Sequence, residues 1–380
     1  MKKASKAVHA GQRKELNFGG VNTPVFTSSA IEYLDDSEVR YPRYFNTLNS
    51  LVVADKIAAL ENAQAALVMS SGMSAISTVV LGLLRPGDHA IMLDGLYGGT
   101  HALVMAEFRR FGIRCTFVPA DPSAMEAAVK EDTRLLFIES PTNPLLTVMD
   151  LDAVAGIAKR RGLWSVIDGT FATPILQNPI DHGFDLVVHS GTKYLGGHSD
   201  LCCGAIAGSS ELIDRLRQHA LMHGGSLNAQ DCYLLERSLK TLDLRVRQQS
   251  HNALAVARAL EQQTQVSRVH YPGLAQHPQH GIAARQMQDF GGMLSFDLDS
   301  AVDPVRFLRY LEMIACAVSL GGVETTICQP VATSHEKMEQ GERERLGIKP
   351  SLLRLSVGIE DPEDIIADLV QALEQAGAAS

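Results

Sequence analysis

One lysine, Lys193, lies in a run of small and polar residues that follows an apolar segment. The run reads Ser190-Gly-Thr-Lys-Tyr-Leu-Gly-Gly197, and Leu186-Val-Val-His189 precedes it. A primary amine forms an imine with an aldehyde, and neighbouring hydroxyls can hydrogen-bond a phosphate. Ser190, Thr192 and Lys193 therefore predict a site for a phosphate-bearing aldehyde cofactor. Taken alone, the same pattern also fits a surface lysine in a loop.

Three further turns carry groups that could complete such a site. Gly72 and Met73 lie in a serine–glycine turn between a strand and a helix, where free backbone N–H groups bind anions. Asp168 ends an apolar run, is followed by Gly169-Thr170, and could keep a pyridine nitrogen protonated. Tyr97 starts a glycine-rich turn and could stack on a ring. Each feature has a commoner structural explanation, but their convergence on separate strand ends favours one site.

The elements that must position these residues alternate along the chain from about residue 50. Such alternation predicts an α/β fold with a mostly parallel sheet covered on both faces. Ligands of these sheets bind beyond the carboxyl ends of the strands. The predicted strands are 65–69, 89–93, 115–118, 135–139, 164–168, 186–189 and 205–207. The predicted helices are 51–61, 73–84, 123–130 and 151–161.

A chain of 380 residues is long enough for two domains. A long helical stretch at about 229–263 leads out of the first domain, and the remainder mixes strands such as 293–298 with helices such as 362–376. We predict a polar, irregular N-terminal arm at 1–45 that packs on a partner subunit. A cofactor-binding domain at 46–240 and a smaller C-terminal α/β domain at 241–380 would follow.

The composition excludes several classes of protein. A net charge of −9 gives no general attraction to nucleic acid or to anionic lipid. The uncharged segment 65–84 is interrupted by serine, threonine and glycine, which favours a strand, a turn and a helix over a membrane span. The first residues are basic but no apolar stretch follows them, so no secretory signal is predicted.

The six cysteines form no CxxC pair and no Cys/His group with zinc spacing, so no metal site is predicted. Scattered thiols in a large acidic chain are typical of a reducing compartment, and we expect the cytoplasm. Cys202 and Cys203 are predicted to lie in a strand.

Several motifs together resemble the Cys/Met-metabolism enzymes that depend on pyridoxal 5'-phosphate (PLP). This family includes cystathionine γ-synthase, cystathionine β- and γ-lyases, methionine γ-lyase and O-acylhomoserine sulfhydrylases. The resemblance covers nearly the whole chain. The motifs are Tyr41-Pro-Arg43, Ser70-Ser-Gly-Met73, Leu96-Tyr-Gly-Gly-Thr100, Glu139-Ser-Pro-Thr-Asn-Pro-Leu-Leu146, Asp168-Gly-Thr-Phe-Ala-Thr-Pro174, His189 to Asp200, Ser319-Leu-Gly-Gly-Val-Glu324 and Leu353-Arg-Leu-Ser-Val-Gly-Ile-Glu-Asp361.

The resemblance implies an aspartate-aminotransferase-like fold (fold type I) and a homotetramer of two catalytic dimers. It implies that Lys193 forms the Schiff base, that Asp168 binds the pyridine nitrogen and that Asn143 lies near the ring hydroxyl. Tyr97 would stack on the ring and help move protons, and Thr170 would belong to the cofactor site. The other implied contacts are the phosphate with Gly72, Met73, Ser190 and Thr192, the neighbouring subunit's phosphate with Tyr41 and Arg43, and the substrate α-carboxylate with Ser319 and Arg354.

The sequence also departs from the family pattern. Members that act on cystathionine tend to carry acidic residues that meet its distal ammonium group, and Arg40 and Cys328 stand at those positions here. Arg40 would repel an ammonium and attract a distal carboxylate, which favours a substrate like O-succinylhomoserine; alternatively, it is only a solvated surface charge. The other departures are Gly169 for Asn, Gly191 for Ala, Phe45 for Gly and Ser334 for Thr.

The resemblance implies β/γ-elimination on sulfur amino acids of the cystathionine lyase type, which releases a thiol, ammonia and a 2-oxo acid. The alternative is γ-replacement, as in cystathionine γ-synthase or O-succinylhomoserine sulfhydrylase. A PLP-binding scaffold without turnover is a third reading, against which the intact Lys193, Tyr97 and Arg354 argue. A nicotinamide-dependent dehydrogenase is excluded because no GxGxxG follows the first strand.

Overall fold

Two β-sheets organise the chain in the computed structural model, which describes residues 1–13, 19–35, 38–336 and 338–377. The first sheet has seven strands and the second has five. Strands of the first sheet are β1 (Ala65–Met69), β2 (His89–Leu93), β3 (Arg114–Val118), β4 (Thr133–Glu139), β5 (Trp164–Asp168), β6 (Leu186–Ser190) and β7 (Gly204–Gly208).

The first sheet has the order β1-β7-β6-β5-β4-β2-β3. Antiparallel pairing joins β7 to β1 and to β6, while β6-β5, β5-β4, β4-β2 and β2-β3 pair in parallel, so β7 runs against the other six. The strands are short apolar runs because helices cover both faces; all five residues of β2 are buried. The carboxyl ends of the six co-directed strands therefore meet at one edge.

The helices before and around this sheet begin at polar or glycine turns. Ser71 caps α3, because its Oγ accepts the N–H of Ser74 at 3.0 Å, and Asp150 caps α6 through the N–H of Ala153 at 3.1 Å. These helices are α1 (Lys3–His9), α2 (Leu48–Glu61), α3 (Gly72–Leu83), α4 (Gly98–Leu103), α5 (Pro122–Ala127), α6 (Leu151–Arg161), α7 (Thr173–Leu176) and α8 (Ser210–His223).

The second sheet is mostly antiparallel, with the order β10-β11-β12-β9-β8 and one parallel pair, β10-β11. Its core includes the fully buried Phe296 and Phe307, whose rings meet edge to face. Its strands are β8 (Val266–His270), β9 (Met293–Leu298), β10 (Ala315–Cys316), β11 (Thr326–Cys328) and β12 (Leu352–Ser356). The remaining helices are α9 (Ala229–Leu239), α10 (Leu242–Leu260), α11 (His280–Gln286), α12 (Pro304–Tyr310), α13 (Gln340–Leu346) and α14 (Pro362–Gly377).

Apart from the strand predicted for Cys202 and Cys203, every predicted strand and helix up to β7 is confirmed, with shifts of a few residues at the ends. The helical stretch predicted at 229–263 is confirmed, but it consists of two separate helices, α9 and α10. Thr241 interrupts them with φ −108° and ψ 7°, and its hydroxyl donates to the Ser238 carbonyl at 3.2 Å. The domain limits 1–45, 46–240 and 241–380 stay predictions.

The predicted arm is not irregular throughout, because α1 is a helix fastened to the body of the same chain. Ala7 is fully buried, and the Lys3 amine donates to the Ile175 carbonyl at 3.0 Å. The buried Lys56 amine donates to the carbonyls of Ala7 and Val8, each at 3.0 Å. These long-range hydrogen bonds explain why the polar segment of α1 forms a helix against the body of the chain. Residues 14–18 and 36–37 of the arm lie outside the described residues.

A buried ion pair joins α2 to the strand that leads to Lys193. The Nε2 of His189 on β6 lies 2.5 Å from the Oε1 of Glu61, and their side chains are 2% and 0% exposed. Asn178 adds a hydrogen bond from its Nδ2 to the Leu60 carbonyl at 2.8 Å. Because neither side chain reaches water, each needs the other as its polar partner.

Removing one member of this pair should cost more than removing both. We expect His189→Leu to lower the free energy of unfolding by ~3–5 kcal/mol, because the buried Glu61 is left with only a 3.5 Å hydrogen bond from the Asn178 Nδ2. The double variant Glu61→Met/His189→Leu should recover much of that loss. Urea titration at fixed protein and cofactor concentration measures both values. A double variant as unstable as the sum of the two single variants would show that the pair makes no mutual contribution.

Candidate active site

A cavity of about 540 Å³ lies at the carboxyl edge of the first sheet, where β12 of the second sheet approaches it. It holds most of the residues predicted for the site. Those that line it are Gly72, Met73, Tyr97, Asn143, Asp168, Thr170, Ser190, Thr192, Lys193, Ser319 and Arg354. Residues from seven separate segments thus converge on one space.

Lys193 lies in the loop after β6 with its amine directed across the cavity. Its backbone N–H donates to the Ser190 carbonyl at 3.1 Å, and its Nζ donates to the Ser319 hydroxyl at 2.7 Å. Burial, and then the positive charge of Arg354, lower the pKa of the Lys193 amine to about 8. A substantial fraction of the amine is therefore neutral near pH 7–8 and able to attack a carbonyl carbon.

The turn before α3 packs directly against the end of β6. A Cβ built on Gly72 would lie 2.8 Å from the Cβ of Ser190, so no side chain fits at position 72. The backbone N–H groups that begin α3 therefore face the same space as the Ser190 and Thr192 hydroxyls. A helix N-terminus beside two hydroxyls suits a phosphate group.

Asp168 ends β5 and is held in place by the next turn. Its Oδ1 accepts the N–H of Thr170 at 2.9 Å, and the Thr170 hydroxyl accepts the N–H of Ser190 at 2.9 Å. Burial raises the pKa of Asp168 above its ordinary value, although the hydrogen bonds from Thr170 act in the opposite direction. A buried carboxylate of this kind binds strongly to a cationic N–H donor such as a pyridinium.

Glu139 was not predicted as a functional residue, yet it fixes two residues that were. Its carboxylate accepts the N–H of Tyr97 at 2.9 Å and the N–H of Asn143 at 2.8 Å. Glu139 pairs in register with Asp168 on the neighbouring strand. Burial, and then the Asp168 carboxylate, raise the pKa of Glu139 to about 8. An acidic residue at the end of the apolar run 135–139 was the signal that could have identified it.

Arg354 enters the cavity from β12 of the second sheet. Its Nη1 donates to Asn143 Oδ1 at 3.0 Å and its Nη2 donates to the Ser319 carbonyl at 3.0 Å. Its buried Nε has no hydrogen-bond partner among the described residues. A guanidinium with an unused buried donor is well suited to bind a carboxylate.

Tyr41 and Arg43 do not line the cavity of their own chain. The Arg43 guanidinium donates to the Leu221 carbonyl and lies 5.2 Å from the centre of the Tyr44 ring. The Tyr41 side chain is 40% exposed. Their expected role in a neighbouring site stays a prediction.

The strand predicted for Cys202 and Cys203 is wrong, since β7 begins at Gly204. The N–H of Cys203 donates instead to the Thr192 hydroxyl at 3.0 Å, which keeps this segment in the loop. Cys202 is exposed and lines the cavity. No group of acidic, His or Cys side chains that could hold a metal ion occurs among the described residues.

Comparison with known proteins identifies the class of enzyme and then the family. The fold is the mixed α/β architecture of fold type I PLP enzymes, and the sequence profile described as Cys/Met metabolism PLP-dependent enzyme matches residues 4–374. The chain belongs to this family, and its cofactor is PLP. The predicted family, fold and cofactor are confirmed. The close packing at Gly72 that leaves no room for a side chain, the neutralisable amine of Lys193 and the buried Asp168 carboxylate fit this cofactor.

Similar proteins include members with different reactions. Cystathionine γ-synthase 1, chloroplastic, of Arabidopsis thaliana is 42% identical over 97% of this chain and 68% of its own length. L-methionine γ-lyase of Fusobacterium nucleatum subsp. polymorphum is 40% identical over 97% of both chains. The crystal structure of cystathionine γ-lyase from Lactobacillus plantarum, complexed with L-serine, superposes with a TM-score of 0.96 at 35% identity and covers 100% of both chains.

The lowered pKa of Lys193 should govern cofactor uptake. We expect the rate at which the PLP-free protein takes up PLP to rise with pH through about 8 and then level off, because only the neutral amine attacks. Arg354→Gln should move this inflection to higher pH, since a nearby positive charge disfavours protonation. Arg354→Lys keeps the charge and serves as the matched control. Visible absorbance measures the rate, and an inflection that does not move in Arg354→Gln would contradict the assignment.

Proposed function

We propose that this chain catalyses β/γ-elimination on sulfur amino acids and releases a thiol, ammonia and a 2-oxo acid. One observation carries the proposal: the Lys193 amine, the Asp168 carboxylate and the free donor of Arg354 share one cavity. An α-amino acid held by its carboxylate at Arg354 would present its amine and α-carbon to Lys193. The similarity to L-methionine γ-lyase and cystathionine γ-lyase supports the same reaction class.

The residues that would hold PLP are those of the convergent strand ends. When bound, PLP supplies an aldehyde that condenses with amines and a ring that accepts electrons. Lys193 would bind the aldehyde carbon, Asp168 would keep the pyridine nitrogen protonated, and Asn143 would lie near the ring hydroxyl. Tyr97 would stack on the ring, held at its backbone by Glu139. The phosphate would be bound by Gly72, Met73, Ser190 and Thr192, with Thr170 supporting Asp168.

Substrate binding and proton transfer would depend on two residues in particular. Arg354, with Ser319, would bind the α-carboxylate, and this contact would place the α-proton near Lys193. After the substrate amine has displaced it, the Lys193 amine is free to accept the α-proton. Its pKa of about 8 suits a group that must accept and return protons near neutral pH. The Tyr97 phenol, 42% exposed in the cavity wall, could carry protons to the leaving group.

Replacement at Cγ is the second candidate function, and one observation favours it. Cys328, which pairs in register with Arg354, stands where members acting on cystathionine tend to have an acidic residue. Arg40 would add a positive charge that attracts the distal carboxylate of an acylhomoserine. The similarity to cystathionine γ-synthase 1 agrees with this candidate, which would make the chain a transferase.

We further propose a homotetramer of two catalytic dimers in the cytoplasm. The N-terminal arm exposes apolar side chains, including Val21, Phe26 and Leu34, at 76%, 53% and 83%. Exposed apolar side chains of this kind favour a protein–protein interface.

Free thiols at all six cysteines agree with the proposed cytoplasmic location, which is a reducing compartment. Within the described residues, no helix has the length and hydropathy that crossing a bilayer requires.

A substrate panel tests the reaction. The PLP-loaded protein should produce pyruvate or 2-oxobutyrate from L-cystathionine without added thiol, as identified by mass spectrometry. The same assay with L-methionine, L-cysteine and O-succinyl-L-homoserine defines the range of leaving groups. Lys193→Ala should form no product, whereas Lys159→Ala, which removes an exposed lysine, should match the unmodified protein. Consumption of O-succinyl-L-homoserine only with added cysteine, and no 2-oxo acid, would replace elimination by γ-replacement.

The shared-site dimer has a separate test. Arg43→Ala should weaken PLP retention roughly 10- to 100-fold, the effect of losing a charge-assisted hydrogen bond to phosphate. Arg13→Ala is the control, because Arg13 pairs only at the surface with Asp55 at 2.7 Å. Mixing Arg43→Ala subunits, at a PLP concentration too low to fill their sites, with inactive Lys193→Ala subunits should restore activity, since one site of each mixed dimer is intact. Full PLP retention in Arg43→Ala, or no recovery on mixing, would contradict a shared site.

A further inference from the structure

Glu336 lines the active-site cavity together with Lys193 and Arg354. It is exposed and lies in the segment that follows Pro330–Ala332. Three carboxylates line this cavity among the described residues: Glu139, Asp168 and Glu336. Glu139 is bound to two backbone N–H groups and Asp168 to Thr170. Only Glu336 is open to solvent, so it is the carboxylate left to meet a cationic group on a substrate.

The backbone of Glu336 is held firmly while its carboxylate remains available. Its N–H donates to the Thr333 carbonyl at 3.3 Å. The Arg343 guanidinium donates to the carbonyls of Glu336 and His335 at 3.3 Å and of Met338 at 2.6 Å. The Nη1 of Arg343 is therefore engaged by backbone carbonyls. Among the described residues, the Glu336 carboxylate forms no ion pair. A fixed backbone lowers the entropy that a charged group loses when it binds a partner.

The described residues directly before Glu336, 333–335, do not supply a competing positive charge. His335 is 1% exposed, and its Nδ1 lies 2.8 Å from the Ser334 hydroxyl. Burial, and then Arg354, lower the pKa of His335 to about 4, so its imidazole is neutral at pH 7. Thr333 and Ser334 are neutral wall residues of the same cavity. Among the lining residues Thr333, Ser334 and Glu336, only Glu336 carries a formal charge.

We infer that Glu336 selects substrates that carry a second ammonium group at the far end of the thioether chain. The inference rests on the proposed function, because it needs the α-carboxylate of the substrate at Arg354 and its α-amine at Lys193. A distal ammonium, as in L-cystathionine, would gain an ion pair with Glu336. L-methionine has no distal charge, so Glu336 would not affect its binding. O-succinyl-L-homoserine carries a distal carboxylate and would be repelled.

Glu336→Gln tests the inference because it removes the charge and keeps the shape. We expect KM for L-cystathionine to rise about two- to fivefold, the range for a solvent-exposed ion pair, with kcat unchanged. KM for L-methionine should not change, and KM for O-succinyl-L-homoserine should fall. A compound that is not turned over is measured by its inhibition constant. Glu339→Gln is the matched control, since Glu339 is exposed in the same segment and outside the cavity.

A binding readout separates this inference from the reaction itself. Calorimetric titration of L-cystathionine into Lys193→Ala and into Lys193→Ala/Glu336→Gln should show weaker binding in the double variant by a similar factor. If the unmodified protein acts on none of the compounds, the proposed function fails, whatever Glu336 does. If it acts on L-cystathionine but Glu336→Gln leaves the ratio of KM values for L-cystathionine and L-methionine unchanged, only the inference about Glu336 is overturned.

Discussion

The site depends on two carboxylates that end neighbouring parallel strands out of contact with bulk water. Glu139 and Asp168 pair in register, and both are at least nine-tenths buried. Two acidic groups in such a place are costly to ionise, because burial disfavours each charge and the two charges repel each other, so the surrounding structure has to compensate. The compensation consists of backbone N–H groups at Tyr97, Asn143 and Thr170, and each of these contacts also fixes a residue that lines the cavity.

The positive charges that balance these carboxylates come from two different parts of the fold. Lys193 lies in the loop that follows β6 of the first sheet, and Arg354 lies on β12 of the second. Arg354 reaches back to Asn143 and Ser319, so the position of the second sheet determines where a substrate carboxylate can bind. The same guanidinium contributes to the low pKa of the Lys193 amine. Substrate recognition and the reactivity of the lysine are therefore linked through one side chain.

The strands, and the site residues that follow their carboxyl ends, could be predicted from the sequence, because buried parallel strands are short apolar runs that stop at polar turns. The sequence did not reveal the break between α9 and α10, since Thr241 is neither glycine nor proline. The helix α1 was missed because its stability comes from Lys3 and Lys56, which bind carbonyl groups far away in the sequence. Glu139 was missed because its partners are backbone groups, whose positions only the folded chain defines. The roles of Tyr41 and Arg43 depend on a second subunit, which no single chain contains.

The reversed direction of β7 has a mechanical consequence for the lysine. Ser190 and Gly204, which flank the loop 191–203, pair directly with each other across β6 and β7. Both ends of the loop are therefore anchored at the same edge of the sheet, whereas a parallel crossover would carry the chain away to the opposite edge. Within the loop, Gly197 donates to the Lys193 carbonyl at 2.7 Å and Arg245 donates to the Tyr194 carbonyl at 2.8 Å. The backbone that carries Lys193 is therefore held at both ends of its loop. The amine moves between its successive bonding partners by rotation about the side-chain bonds.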